Sequence, residues 1–163
     1  MAEQQQQHPT EKGAPRFSER LGVPLWWYPL PLLGAVLLAA EVHMGYPGVR
    51  AWLPYLVTVP LTIGFLLWLG RVRVQIRDDE LWVDDAHLPL RFVGEVEVIP
   101  PAAKRKAMGP GLDPAAFVVH RPWVGSMVRV HLTDPDDPTP YWQFSTRHPE
   151  RVAELLRRGP DMR

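Results

Sequence analysis

Two uncharged apolar runs, Leu21–Ala40 and Ala51–Gly70, constrain this chain more than any other feature. Each is about 20 residues long, which at helical rise spans roughly 30 Å, the thickness of a bilayer core. The short connector Glu41–Arg50 joins them, so the pattern predicts a transmembrane helical hairpin over 21–70, with helices at 21–43 and 51–70. A cleaved leader is the competing reading, favoured by Lys12, Arg16 and Arg20 ahead of the first run. Three features oppose it. The run exceeds a signal core of roughly 7–15 residues, Leu38-Ala39-Ala40 is a poor cleavage site, and Trp26, Trp27 and Tyr28 suit interface anchors.

The flanking charges set an orientation. Lys12, Arg16 and Arg20 precede the first run, Arg71, Arg73 and Arg77 follow the second, and the connector holds Arg50 opposed by Glu41. The positive-inside rule then places both termini and everything beyond Arg71 on the cytoplasmic face of the cell membrane. Trp26, Trp27, Tyr28 and Trp68 fall at the inner interface; Tyr46, Trp52 and Tyr55 fall at the outer one. Pro29 and Pro31 predict loosely wound first turns, and Pro60 predicts a bend near mid-depth. Bent helices frame binding sites in transporters. Here Thr58 and Thr62 are the polar residues at mid-depth, a pattern that simple helix packing accounts for. Glu41 and His43 stand two apart, do not share a helix face, and read as interfacial rather than as ligands.

Charge and composition exclude several classes. Lysine plus arginine total 18 against 18 acidic residues, and the part beyond Arg71 balances as well, so no field for nucleic acid is expected. The chain has no cysteine, which removes disulfides, thiolate metal sites and thiol nucleophiles together. Residues 1–20 open with a glutamine-rich, low-complexity stretch and are expected to be a disordered cytoplasmic tail. Phe17 to Leu21 would form a short amphipathic lead into the first helix.

After the hairpin the period becomes two. Arg71–Arg77 alternates polar and apolar residues, Asp78-Asp79 turns it, and Glu80–Val83 runs back. Further strands are expected at His87–Leu90, Val93–Ile99, Ala116–His120, Met127–Leu132 and Tyr141–Ser145, with a long irregular stretch from Pro100 to Pro114. A terminal helix follows over 149–158. Pro149 suits its first position, Glu150, Arg157 and Arg158 complement its dipole, and Gly159-Pro160 stops it. Val152, Leu155 and Leu156 form its buried stripe, with Leu155 expected as the anchor. The chain is thus read as an α+β membrane protein. Its hairpin leads into a seven-strand antiparallel barrel or sandwich over 71–158, capped by the C-terminal helix, on the plan of a pleckstrin-homology-like domain.

Several stretches resemble an actinobacterial family of small two-helix membrane proteins classed only as a domain of unknown function. They are Phe17-Ser18-Glu19-Arg20-Leu21 with Pro24, Trp26 and Trp27, the span exit Gly70-Arg71, Glu80-Leu81, and Leu88-Pro89. The fullest match is Asp134 to Trp142, followed by Ser145-Thr146-Arg147 and Pro149. The resemblance covers nearly all the chain beyond the tail. It implies an actinobacterial integral membrane protein and brings no activity with it.

Candidate contact residues lie in loops. Lys104, Arg105 and Lys106 form the basic cluster, suited to grazing anionic lipid headgroups of the inner leaflet. The loops 100–115 and 133–140, with Asp136, Asp137, Tyr141, Trp142 and Arg147, are the expected surface if the domain holds a protein partner, the alternative for 133–140 being a plain turn between strands. Arg147 meets an acidic group such as Asp136 or Asp137 on one reading and fixes the helix entry by a local salt bridge on the other. Catalysis has no motif behind it. His120 and His131 sit on strands with Asp134 and Ser126 near them, but Ser126 lacks a nucleophile elbow. A convergence of His87, His120 and His131 on a metal is the lesser reading, since exposed cross-strand histidines are far commoner. No cofactor or metal site is expected. The leading function is a membrane-anchored cytoplasmic interaction or scaffold module. The alternative is an accessory subunit of a transport or cell-envelope assembly acting through the hairpin, and an enzyme is the third reading.

Overall fold

Alternation decides the β part of the molecule. In the computed structural model, which describes residues 14–45 and 48–159, Val74 and Ile76 turn inward and Arg73, Gln75 and Arg77 turn outward on one strand. The first sheet is an antiparallel meander in the order β1 (Phe17–Arg20), β2 (Arg73–Arg77), β3 (Glu80–Val83), β4 (Ala86–Pro89). Asp78 and Asp79 both take positive φ, 51° and 58°, the left-handed pair that a two-residue hairpin turn requires. The second sheet holds β5 (Val93–Ile99), β6 (Phe117–Val119), β7 (Met127–Leu132) and β8 (Tyr141–Ser145) in the order β5-β7-β8-β6.

Apolar residues from both sheets meet in one core that includes Leu21, Ile76, Leu81, Val83, Val128, Val130 and Phe144. The terminal helix α4 (Pro149–Arg158) closes it, inserting Val152, Ala153 and Leu156 and packing on β5 and β7. Gly159, at φ 68°, ends that helix in a conformation that only glycine adopts cheaply. Leu155, expected as the anchor, is half-buried, whereas Leu156 is buried.

Two helices stand apart from this core. A 3-10 turn, Leu25–Trp27, leads into α1 (Pro29–Gly45), and a second, Val49–Trp52, leads into α2 (Leu53–Leu69). Both stretches are long and apolar enough to cross a membrane. Pro29 and Pro31 stand in the first turn of α1, where their missing donors are unpaired anyway, so the loosely wound part is the 3-10 turn before them. The α2 helix runs on through Pro60. Small residues Ala35 and Ala39 let the helices pack, and Thr58 Oγ1 donates to the Ala35 and Pro54 carbonyls at 3.3 and 2.9 Å. The outer faces remain bare: Leu25, Leu30 and Leu56 are 84%, 79% and 71% exposed.

Several expectations are corrected. The expected tail over 1–20 contains β1, whose residues 17–20 pair with Ile76 to Arg73; residues 1–13 lie outside the described residues. The helical hairpin is therefore an insertion between two neighbouring strands of one sheet, and the β domain does not begin at residue 71. Helix one begins at Pro29 rather than 21 and continues to Gly45, which shortens the connector; Tyr46 is outside the described residues. The irregular stretch from Pro100 holds a helix, α3 (Pro101–Ala107). Eight strands replace seven among the described residues, and β6 lies parallel to β8 at the sheet edge, so the second sheet is mixed.

Candidate functional site at the root of the hairpin

The strand β1 and the segment just before α4 meet where the hairpin leaves the β domain. Strand alternation on β1 turns Phe17 and Glu19 inward, so a carboxylate occupies a core-facing position. Glu19 is 7% exposed, and its partners come from the segment just before α4. Thr146 Oγ1 donates to Glu19 Oε2 at 2.5 Å, and the Arg147 backbone N–H donates to Oε1 at 3.0 Å. The His148 ring nitrogen lies 3.8 Å away. A negative group also suits the N-terminal end of α4, whose His148 cap position makes no side-chain capping bond. Ser126 Oγ donates to the Thr146 carbonyl at 2.7 Å, so Ser126 too belongs to this network.

The Arg147 guanidinium spans the start of the hairpin. It donates to the Arg20 carbonyl at 3.0 Å and to the Gly22 carbonyl at 2.7 Å. The Trp123 indole N–H donates to the Leu21 carbonyl at 3.1 Å, and its ring meets Trp27 edge-on at 5.5 Å. From the other side, Leu21 N–H donates to Val72 O at 2.9 Å and Arg20 Nε donates to Gly70 O at 3.3 Å. Gly70 is required by close approach: a Cβ there would stand 2.8 Å from the Val23 nitrogen. Both oxygens of Glu19 and both terminal nitrogens of Arg147 are engaged. The arrangement clamps the two legs of the hairpin to each other and to the second sheet.

The sequence-predicted contact residues disperse. Lys104 Nζ donates to the Arg121 carbonyl at 3.2 Å and to the Val124 carbonyl, and burial holds its pKa below the usual lysine range. It is a strut for α3, whereas Arg105 and Lys106 are exposed. Asp137 Oδ1 accepts from the Thr139 backbone N–H at 2.8 Å, and hydrogen bonds from Thr139 hold its carboxyl below the usual range. Asp134 Oδ1 accepts from the Asp136 backbone N–H at 3.0 Å, so this loop is a pair of Asx turns. Tyr141 and Trp142 are buried: Trp142 packs on Phe117 at 4.5 Å, and the Tyr141 hydroxyl accepts from Asp113 N–H at 2.7 Å. The Arg147 guanidinium meets neither Asp136 nor Asp137 and donates to the Arg20 and Gly22 carbonyls, while its backbone N–H meets Glu19.

Of the histidines, His87 stacks on Trp82 and His131 packs on Tyr141. Burial, Lys104 and Arg121, in that order, hold His120 below its ordinary pKa. Among the described residues no three His, Asp or Glu side chains gather as metal ligands do. Sequence reasoning missed Glu19, Trp123 and Gly70 as parts of a site. The signal was present in part, because the stretches Phe17–Leu21 and Ser145–Arg147 were both singled out by resemblance. The structure joins them across 127 residues.

Comparisons with curated proteins and with solved structures find no match. A family model described as a protein of unknown function, DUF3093, matches residues 16–156. That range opens just before β1 and closes on Leu156 within α4, so it takes in the hairpin, both sheets and the whole clamp. The chain belongs to the DUF3093 family.

Proposed function

We propose that the chain is an integral protein of the cell membrane whose hairpin holds the β domain against the cytoplasmic face as an interaction or scaffold module. One observation carries this reading: an apolar hairpin with bare outer faces is inserted between β1 and β2 and clamped at its root. Both legs must return to the same side, because the strands flanking them pair in one sheet. A leader cleaved after the first run would take β1 with it and leave β2 an open edge. Arg16, Arg20, Arg71, Arg73 and Arg77 flank the legs and favour a cytoplasmic domain.

The β domain supports a pleckstrin-homology-like plan. Its four-strand meander, the antiparallel trio β5, β7 and β8, and α4 packed on β5 and β7 make up the seven strands and closing helix. In that plan the hairpin takes the place of the first strand connection and β6 is an added edge strand. Arg105, Lys106 and the Asx-turn loop around Asp136 face solvent and are available to a protein partner. Lys104, Tyr141, Trp142 and Arg147 are spent on internal contacts.

Reporters active only outside the cell are expected to work after residues 44–50 and to be silent when fused at the C-terminus. Activity at the C-terminus overturns the orientation, and release of the protein by alkaline washing of membranes overturns the integral reading. A partner co-purified from native membranes is expected to bind the β domain with the hairpin removed. Binding that needs the hairpin instead moves the function into the helices.

A further inference from the structure

A trough runs along the outer face of the first sheet from the point where α2 ends. Val74 and Ile76 fill the core, so Arg73, Gln75 and Arg77 project outward from β2, and Trp82 stands opposite Gln75 on β3. The Arg77 guanidinium lies 4.6 Å from the Trp82 ring centroid, and His87 stacks on the same ring at 4.8 Å. The volume between Arg71, Arg73, Arg77 and the Asp84-Asp85 turn is about 420 Å³. A neighbouring hollow of about 340 Å³ shares Arg71 and both aspartates, adds Arg121, and reaches Trp68 and Leu69 at the end of α2.

Four arginines and two aspartates therefore line one continuous depression beside the hairpin exit. Among the described residues none of these six forms an ion pair with a partner of opposite charge. Arg121, which lines the hollow, has its Nε buried without a hydrogen-bond partner among the described residues and donates from Nη1 to the His120 carbonyl at 3.0 Å. The Asp84 turn itself is fixed, with its N–H donating to Arg73 O at 2.8 Å and φ at 59°. Guanidinium forks match phosphate oxygens, and carboxylates accept from hydroxyl groups. The ring of Trp82 already carries Arg77 and His87, which leaves little aromatic surface for a choline group.

We propose that this trough binds the headgroup of an anionic phospholipid bearing free hydroxyls, of the glycerol or inositol type. The phosphodiester lies among Arg71, Arg73 and Arg121, the headgroup hydroxyls donate to Asp84 and Asp85, and Trp68 and Leu69 meet the glycerol backbone. The inference rests on the membrane reading above, because the trough starts at the end of α2. It moves the lipid contact away from Lys104-Arg105-Lys106, whose first member is committed to backbone carbonyls.

Native mass spectrometry of the full chain in neutral detergent tests it, titrating phosphatidylglycerol, phosphatidylethanol, phosphatidylcholine and inorganic phosphate. Phosphatidylglycerol is expected to bind best. The double variant Arg71→Gln with Arg73→Gln is expected to weaken it by roughly tenfold or more, and Arg105→Gln with Lys106→Gln to leave it unchanged. Asp84→Asn with Asp85→Asn is expected to erase the preference over phosphatidylethanol, which has the same charge and no hydroxyl. The comparison among lipids on the unaltered chain needs no variant to fold. Equal binding of phosphatidylcholine, or unchanged binding by the Arg71 and Arg73 variant, overturns the proposal. Inorganic phosphate binding as tightly as the lipid overturns the lipid assignment. Failure here with the protein still resistant to alkaline washing refutes the trough and leaves the membrane reading standing.

Discussion

Glu19 takes a core-facing position on β1 that alternation would give to an apolar side chain, and it is tolerated because each carboxylate oxygen has a donor. Replacing it with alanine leaves the Thr146 hydroxyl and the Arg147 N–H without their acceptor. Glu19→Ala is expected to destabilise the protein by about 1.5–3 kcal/mol, read from its melting midpoint in detergent. An unchanged midpoint would mean the clamp contributes nothing to folding. His120 makes a second residue-scale prediction. Its folded pKa lies below the ordinary 6.5, through burial and then through Lys104 and Arg121. The unfolded chain therefore binds the proton first as pH falls. The contribution of neutral His120 is fully present above 6.5 and is lost as pH drops through the folded value. Melting from about pH 7.5 to about 5 should show a decline that His120→Gln flattens; equal slopes would remove His120 as the cause.

Among the elements, strands rich in β-branched and aromatic residues were legible from sequence: β3, β5, β7 and β8 lie where the reading puts them, and α4 spans the expected residues. The strand β1 was hidden for a physical reason. Its two inward positions are Phe17 and Glu19, so a buried charge breaks the alternation that marks a strand. The helix α3 carries Ala, Lys and Arg, good helix formers, but buries only Ala107 and so shows no apolar stripe. The three-residue β6 is too short to display a period. For the site, the residue types at the root could be singled out but not their meeting, because pairing over so long a separation leaves no local trace. Two predictions belong to this scale. In α4, Leu156→Ala is expected to destabilise by about 2–5 kcal/mol and Leu155→Ala by less, since only Leu156 is buried. The reverse order would place the helix in another rotation. Joining Gly22 to Arg71 through a short glycine-rich loop, with 23–70 removed, is expected to yield a soluble, cooperatively melting domain. The ends are already in contact, as Gly70 and Val23 show. Fragment 71–163, which lacks β1, is expected to fail the same melt; equal stability of the two would mean β1 adds nothing.

For the whole molecule, the clamp makes the two parts interdependent rather than tethered. Deleting 14–20 removes β1, the Glu19 carboxylate and the Arg16–Asp79 pair, while leaving both apolar stretches intact. The deleted chain is expected still to sediment with membranes but to be cleaved by added protease at the β domain, where the full chain resists. Equal resistance would mean that the first sheet closes without its first strand. The insertion also has a consequence for biogenesis. A ribosome releases β1 first and must then make the whole hairpin before β2 exists, with fifty residues separating Arg20 from Gly70. On the membrane reading, β1 waits in the cytosol as an unpaired edge until both helices have entered the bilayer and the second leg has come back. A hairpin that inserted with one leg stranded would leave β2 on the wrong side, the sheet unmade and the core exposed. On that reading the first sheet can close only after both legs have inserted and the second has returned, because β1 pairs with β2 across the hairpin.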